Sequence, residues 1–212
     1  MSEGIGASVL RKEDKKFLTG KGRYTDDINR SGQTHAYFVR SDVAHANIKS
    51  IDTKAASAAS GVVAVYTGED VVADGIGGPI CGWVVPCRDG SPTKEPPHPI
   101  LANGKVRYVG DHVAVVIAET LAQAKSAAEL VEVEFEELPA VVDLESASSS
   151  AEIHKEVPDN CYFDWELGDE ASTDKAIESA SRVIKLQVKN NRLVPNAMEP
   201  RAALAEYDDI SE

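Results

Sequence analysis

The chain has 212 residues, 42% of them apolar, and a formal net charge of −13; it is long enough for one large domain, or one domain and part of another, around a real core. Residues 1–112 carry 14 Lys and Arg against 13 Asp and Glu, whereas residues 113–212 carry 8 against 22, which excludes the basic footprint that nucleic acid needs and leaves a solvated acidic surface or a docking face for a basic partner. No apolar run approaches the roughly 18 residues of a membrane span, no secretory signal opens the chain, so the cytoplasm is the expected location, and Cys81, Cys87 and Cys161, odd in number and without a CxxC pair, argue against a disulfide framework, a zinc site or an iron–sulfur cluster.

In chain order, a basic, Gly-rich entry leads into a strand-like alternation over residues 33–40. The IKSID stretch follows a loop containing AHA, and a small Ala-rich helix is expected over residues 53–60, with Gly61 just past its end. VVAVY is the next strand. Residues 73–104 are rich in Gly and Pro with almost no periodicity, which predicts a long loop of functional or interface-forming kind. Residues 106–108 and 112–118 read as strand, with Gly110-Asp111 as a bulge or tight bend between them. Thr120 is placed to cap a helix over residues 121–130, in which Leu121, Ala124, Ala128 and Val131 recur at helical spacing.

Val131, Val133 and Phe135 then alternate with Glu132, Glu134 and Glu136, a strand with one buried and one wet face. Strand, helix and strand within about 30 residues predict a βαβ unit with parallel strands and a right-handed crossover. From Ser146 the sequence turns polar, small and irregular, the profile of a linker. A short helix capped by Ser172 or Thr173 is expected next, then a strand over residues 182–189 and a return strand in AALAEY. A lone two-stranded ribbon is marginal in water, so these last residues predict the beginning of something larger.

Recognisable chemistry is sparse. His35, His45, His98, His112 and His154 are scattered, with no HExxH-like spacing, and neither a GxSxG elbow nor a GxxxxGK[ST] loop occurs. The Gly75-Ile76-Gly77-Gly78-Pro79 segment can let a backbone approach a ligand, but no helix pattern follows it to cradle phosphate, so a flexible loop is expected. Glu132, Glu134 and Glu136 share an exposed sheet face, where ordinary carboxylate pKa values are expected.

Several long phrases, RKEDKKFLTGKGRYTDDI at residues 11–28, the AHA and IKSID pieces, VRYVGDHVAVVIAETLAQAKSAAELVEVEFEELPAVVD at residues 106–143 and NAMEPRAALAEYD at residues 196–208, resemble the amino-terminal region of the large subunit of molybdenum hydroxylases. That family includes carbon monoxide dehydrogenases, xanthine dehydrogenases and aldehyde oxidases. The resemblance implies an α+β (mixed α/β) fold: an α/β hammerhead domain over residues 1–145, a linker over 146–170, and over 171–212 the first strands of an incomplete molybdopterin-binding domain. It implies a molybdopterin (molybdenum) cofactor in the complete enzyme. It also implies partners: the remaining molybdopterin-binding portion of the large subunit, and iron–sulfur and flavin subunits or domains.

The GGFG-type loop, the Arg-containing loop and the late catalytic glutamate of the family are not found in these residues, and Gly77-Gly78 is followed by Pro79-Ile80 instead. No catalytic, cofactor-binding or metal-ligating residue is therefore assigned. The chain alone is expected to be inactive, with a structural and assembly role in a molybdenum-dependent oxidoreductase. The alternative is a free-standing hammerhead module that binds a protein, or a small ligand in the loop of residues 73–104. Glu199-Pro200-Arg201 reads as a bend, or as a position beneath the pterin in the assembled enzyme.

Overall fold

The computed structural model describes residues 4–6, 8–80, 82–191 and 193–208, so Cys81 lies outside the described residues. The chain divides into two compact units, Met1–Gln33 with Lys185–Glu212, and Thr34–Ile184. The smaller unit holds the short helix α1 (Asp14–Leu18), a stacked pair of rings, Phe17 and Tyr24, 5.5 Å apart, and an ion pair between Arg30 and Glu206 at 3.2 Å.

The larger unit is built on two three-stranded antiparallel sheets. Its elements are β1 (His35–Arg40), β2 (Ala46–Asp52), α2 (Lys54–Ser57), β3 (Val62–Thr67), α3 (Gly68–Ala73), β4 (Lys105–Val106), β5 (His112–Ala118), α4 (Leu121–Ala128), β6 (Glu132–Glu137) and α5 (Glu170–Glu178). One sheet runs β1-β5-β3 and the other β4-β2-β6. The strand, helix and strand at residues 112–137 are present, but the expected parallel pairing is not. β5 pairs antiparallel with β1 and β3, and β6 pairs antiparallel with β2. Each strand finds its partner far away in sequence, and α4 connects two sheets instead of crossing over one.

The apolar run of β5 has a direct cause. Val113, Ala114, Val116 and Ala118 are all fully buried, because β5 is the central strand of its sheet and contributes to two cores. Val113 packs with Ala46, Ala102 and Val106, whereas Val116 packs with Ala127 and Ala128 of α4. Burying each valine contributes on the order of 1.5–3 kcal/mol. Thr120 caps α4 as expected, its Oγ1 accepting from the Gln123 N–H at 3.2 Å. Ala124, Ala127 and Ala128 form the buried face; Leu121, assigned to it by spacing, is 44% exposed.

Three further expectations are corrected. The cap of α5 is Asp169, whose carboxylate accepts from both the N–H and the hydroxyl of Ser172, so Ser172 is the donor and not the cap. Residues 182–189 and 202–207 form no ladder among the described residues; alternation prepares a strand, but a strand exists only against a partner's backbone. On the wet face of β6, Glu136 does not titrate as an ordinary carboxylate. Its pKa is held down by the Asn47 amide donating at 2.8 Å and by Lys49 at 3.1 Å. Among the described residues no helix is long and apolar enough to cross a membrane.

Candidate functional site

The register of the first sheet places Phe38 and Tyr66 on either side of Val115, since Phe38 pairs with Val115 and Val115 pairs with Tyr66. Three residues directly across a sheet present their side chains to one face. That row floors a hollow of about 670 Å³. One wall is α3 with the residue just past its end, bringing Asp70, Val71 and Asp74; another comes from Ile76, Pro79 and the segment His98 to Leu101; the third is the bend carrying Tyr108, Asp111 and His112.

Each wall is held in place by identifiable bonds. Thr67 starts α3 in a capping box, its N–H and hydroxyl donating to Asp70 Oδ2 at 2.7 and 2.8 Å. These two bonds favour the ionised form and hold the Asp70 carboxyl below its usual range. The bend depends on Gly110, whose φ of 94° is left-handed; its N–H donates to the Ser41 carbonyl at 2.7 Å, and the Asp111 carbonyl accepts from the Ser41 N–H at 2.8 Å. Asp111 turns its carboxylate back onto the Arg107 N–H at 3.0 Å. The loop is clamped by close backbone approach: a Cβ on Gly78 would collide with the His98 carbonyl. The glycine run expected to be a flexible, ligand-approaching loop thus approaches its own chain.

The titratable groups of the hollow are tuned in opposite directions. Burial lowers the His112 pKa and Arg40 lowers it further, against the opposing pull of Asp111 and a hydrogen bond to the Ile100 backbone; its ring stacks on Phe38 at 4.5 Å. His112 is therefore neutral at pH 7. Burial, the charge of Asp111 and a hydrogen bond to that side chain raise the Tyr108 pKa, so the phenol keeps its proton. The result is an apolar, aromatic floor with carboxylates at its margin.

The scattered histidines are partly gathered. His98 and His112 line this hollow. His45 is buried in the turn before β2, with Nδ1 2.8 Å from the Pro139 carbonyl, and lies close enough to His154 for its charge to act on that ring. His35 stands at the start of β1, paired with Ala118. Cys87 and Cys161 are free thiols lining another hollow of about 420 Å³. Met198 and Glu199 form a bend, and Glu199, Pro200 and Arg201 are exposed. No group of three or more His, Cys, Asp or Glu is arranged to hold a metal ion among the described residues. α3 was invisible to hydrophobic periodicity, although the Thr67-Gly68-Glu69-Asp70 spacing is a legible capping signal.

Among the described residues, those from 183 onward form no cradle. From residue 183 onward, Ile184, Leu186, Val188, Leu193, Val194 and Met198 are 76–103% exposed, and the hollow beside α5 is lined by Asp169, whose carboxylate is already taken by Ser172. The described residues therefore do not fit molybdopterin on their own.

The aldehyde oxidase and xanthine dehydrogenase a/b hammerhead domain matches residues 19–139, and the molybdopterin cofactor-binding domain matches residues 153–212. The chain is 37% identical to the nicotine 6-hydroxylase large subunit of Paenarthrobacter nicotinovorans over 96% of this chain and 24% of that one. Quinoline 2-oxidoreductase from Pseudomonas putida 86 superimposes with a TM-score of 0.57 at 46% identity, over 68% of this chain and 17% of that one. The Cu,Mo-CO dehydrogenase gives a TM-score of 0.67 at 34% identity, over 84% and 23%. The chain thus spans about a quarter of the length of the curated relatives it matches. It belongs to the aldehyde oxidase and xanthine dehydrogenase family and corresponds to the amino-terminal part of the molybdopterin-binding large subunit.

Proposed function

We propose that this chain serves a molybdenum hydroxylase as the hammerhead portion of its large subunit, with a structural and assembly role and no turnover by itself. The observation that carries this reading is the exposed apolar series from Val183 to Val194, which has no ladder of its own among the described residues. An exposed apolar series of this length marks a surface that another protein surface covers. The complementary surface is the remaining molybdopterin-binding portion, with iron–sulfur and flavin subunits or domains completing the electron path. Residues 1–145 act as the hammerhead domain, 146–170 as linker, and 171–212 as the entry into the cofactor domain. In the completed subunit molybdopterin would supply the redox centre for hydroxylation, while this chain packs against the cofactor-binding domains and helps wall the substrate approach and the electron-transfer interface.

Co-expression with the remaining molybdopterin-binding portion, followed by affinity purification on this chain and metal analysis, tests the proposal. The expected result is co-purification with about one molybdenum per complex, and no stoichiometric molybdenum on the chain alone. Failure to co-purify overturns the assembly role. The hollow over Phe38, Val115 and Tyr66 favours a second reading, a free-standing ligand-binding module, which predicts ligand binding without any partner chain.

A further inference from the structure

We propose that Asn103-Gly104, in the turn that leads into β4, is a self-modification site at which the asparagine loses ammonia through a succinimide, and that the isoaspartyl product frees β4 from β2.

Three local features meet at this turn. Asn103 is exposed, and among the described residues its side-chain amide has no hydrogen-bond partner. The Gly104 N–H likewise donates to no group among the described residues, so both reacting groups are unengaged. Gly104 has a φ of 71°, and no atom lies within 4 Å of the position a Cβ would take, which leaves its nitrogen unshielded and room for a five-membered ring. The other asparagines lack this combination. Asn47 donates to Glu136 at 2.8 Å, Asn160 is held by the Ile153 N–H and the Ala147 and Ala151 carbonyls, and every asparagine other than Asn103 precedes a residue that carries a side chain.

The chemistry uses only the chain and water. The Gly104 nitrogen attacks Cγ of Asn103; the N–Cγ bond forms as the bond from Cγ to the amide nitrogen breaks, and ammonia leaves with the proton that the Gly104 nitrogen gives up. Water then opens the succinimide at one of its two carbonyls. Opening at Cγ restores an ordinary chain with an aspartate, whereas opening at the main-chain carbonyl routes the chain through Cγ as isoaspartate; nothing is oxidised or reduced.

Isoaspartate adds one main-chain atom where the chain is fixed on both sides. The Ala102 N–H donates to the His112 carbonyl at 2.6 Å, and the Gly104 carbonyl accepts from the Ile48 N–H at 3.0 Å. Lys105 and Val106 then pair with Asn47 and Ala46, and Val106 has no accessible surface. Lengthening the chain between these points shifts a two-residue strand against its partner and breaks the Ile48 bond. An ordinary aspartate keeps the chain length and changes only the charge.

The test is incubation of the full chain at pH 8 and pH 6, with peptide mapping by mass spectrometry that separates aspartyl from isoaspartyl products, and hydrogen exchange at Ile48 on the separated forms. Ammonia loss at Asn103 is expected to be at least about 10-fold faster than at any other asparagine, because only Gly104 presents a nitrogen without a neighbouring side chain. It is expected to slow at pH 6, since the attacking nitrogen must give up its proton, and Asn103→Gln is expected to abolish it. Exchange of the Ile48 N–H is expected to be several-fold faster in the isoaspartyl form and unchanged in Asn103→Asp. Modification at Asn103 no faster than at Asn196, or seen only after unfolding in urea, overturns the site; equal Ile48 exchange in the isoaspartyl form and in Asn103→Asp overturns the effect on β4.

Discussion

His154, one of the histidines scattered in the sequence, is half-buried in the fold beside Arg107, His98 and His45. Its Nδ1 is buried without a hydrogen-bond partner among the described residues, and its pKa is lowered first by burial, then by Arg107, His98 and His45, with Glu156 pulling the other way. A lowered histidine pKa means that the folded state prefers the neutral ring. The stability it contributes is complete above the ordinary value of about 6.5 and is lost as pH falls below it toward the folded value. His112 acts in the same direction. The segment around His154 is tied down by Arg107 donating to the Ile153 carbonyl and by Asn160 donating to Ala147 and Ala151. Protection factors of residues 147–160, after correction for the intrinsic exchange rate at each pH, are therefore expected to fall between pH 7 and pH 5.5, and His154→Gln is expected to flatten that dependence. A second expectation at this scale concerns Gly78. Gly78→Ala must displace the His98 carbonyl, at a cost of about 1–3 kcal/mol, measurable as a lowered urea midpoint. Neither feature could be read from the chain: one depends on a loop folding back 109 positions from His45 to His154, the other on a loop meeting itself.

At the scale of elements, local rules succeeded and pairing rules did not. The alternation in residues 131–136, the Thr120 cap and the apolar run of β5 each follow from forces acting within a few residues, and each stands where its pattern placed it. The parallel crossover failed because the spacing of strand, helix and strand is compatible with one sheet or with two, and only contacts distant in sequence decide between them. α3 escaped notice because six residues give too short a window for periodicity. Its start is chemical, so its stability is testable there: Asp70→Ala removes the acceptor of both Thr67 bonds and is expected to cost about 0.5–2 kcal/mol, read from chemical denaturation. Val116→Ala, at a position with no accessible surface between β5 and α4, is expected to cost more, about 2–3 kcal/mol. A larger loss for Asp70→Ala than for Val116→Ala would reverse the weight assigned to capping and core.

For the molecule as a whole, the family was legible because long phrases keep their order across nearly the entire chain, whereas the hollow was not, since its lining comes from residues 38 to 115 and only the fold brings them to one place. One feature of the architecture governs how the molecule is made. The smaller unit is composed of Met1–Gln33 and Lys185–Glu212, with Thr34–Ile184 lying between them in sequence, and the Arg30–Glu206 pair joins positions 176 residues apart. During synthesis residues 1–33 emerge before residues 185–212, with the whole of the larger unit made in between. Closing so long a separation costs chain entropy before any contact repays it. The Arg30–Glu206 pair therefore cannot close until residue 206 has been made, long after residue 30 has left the ribosome.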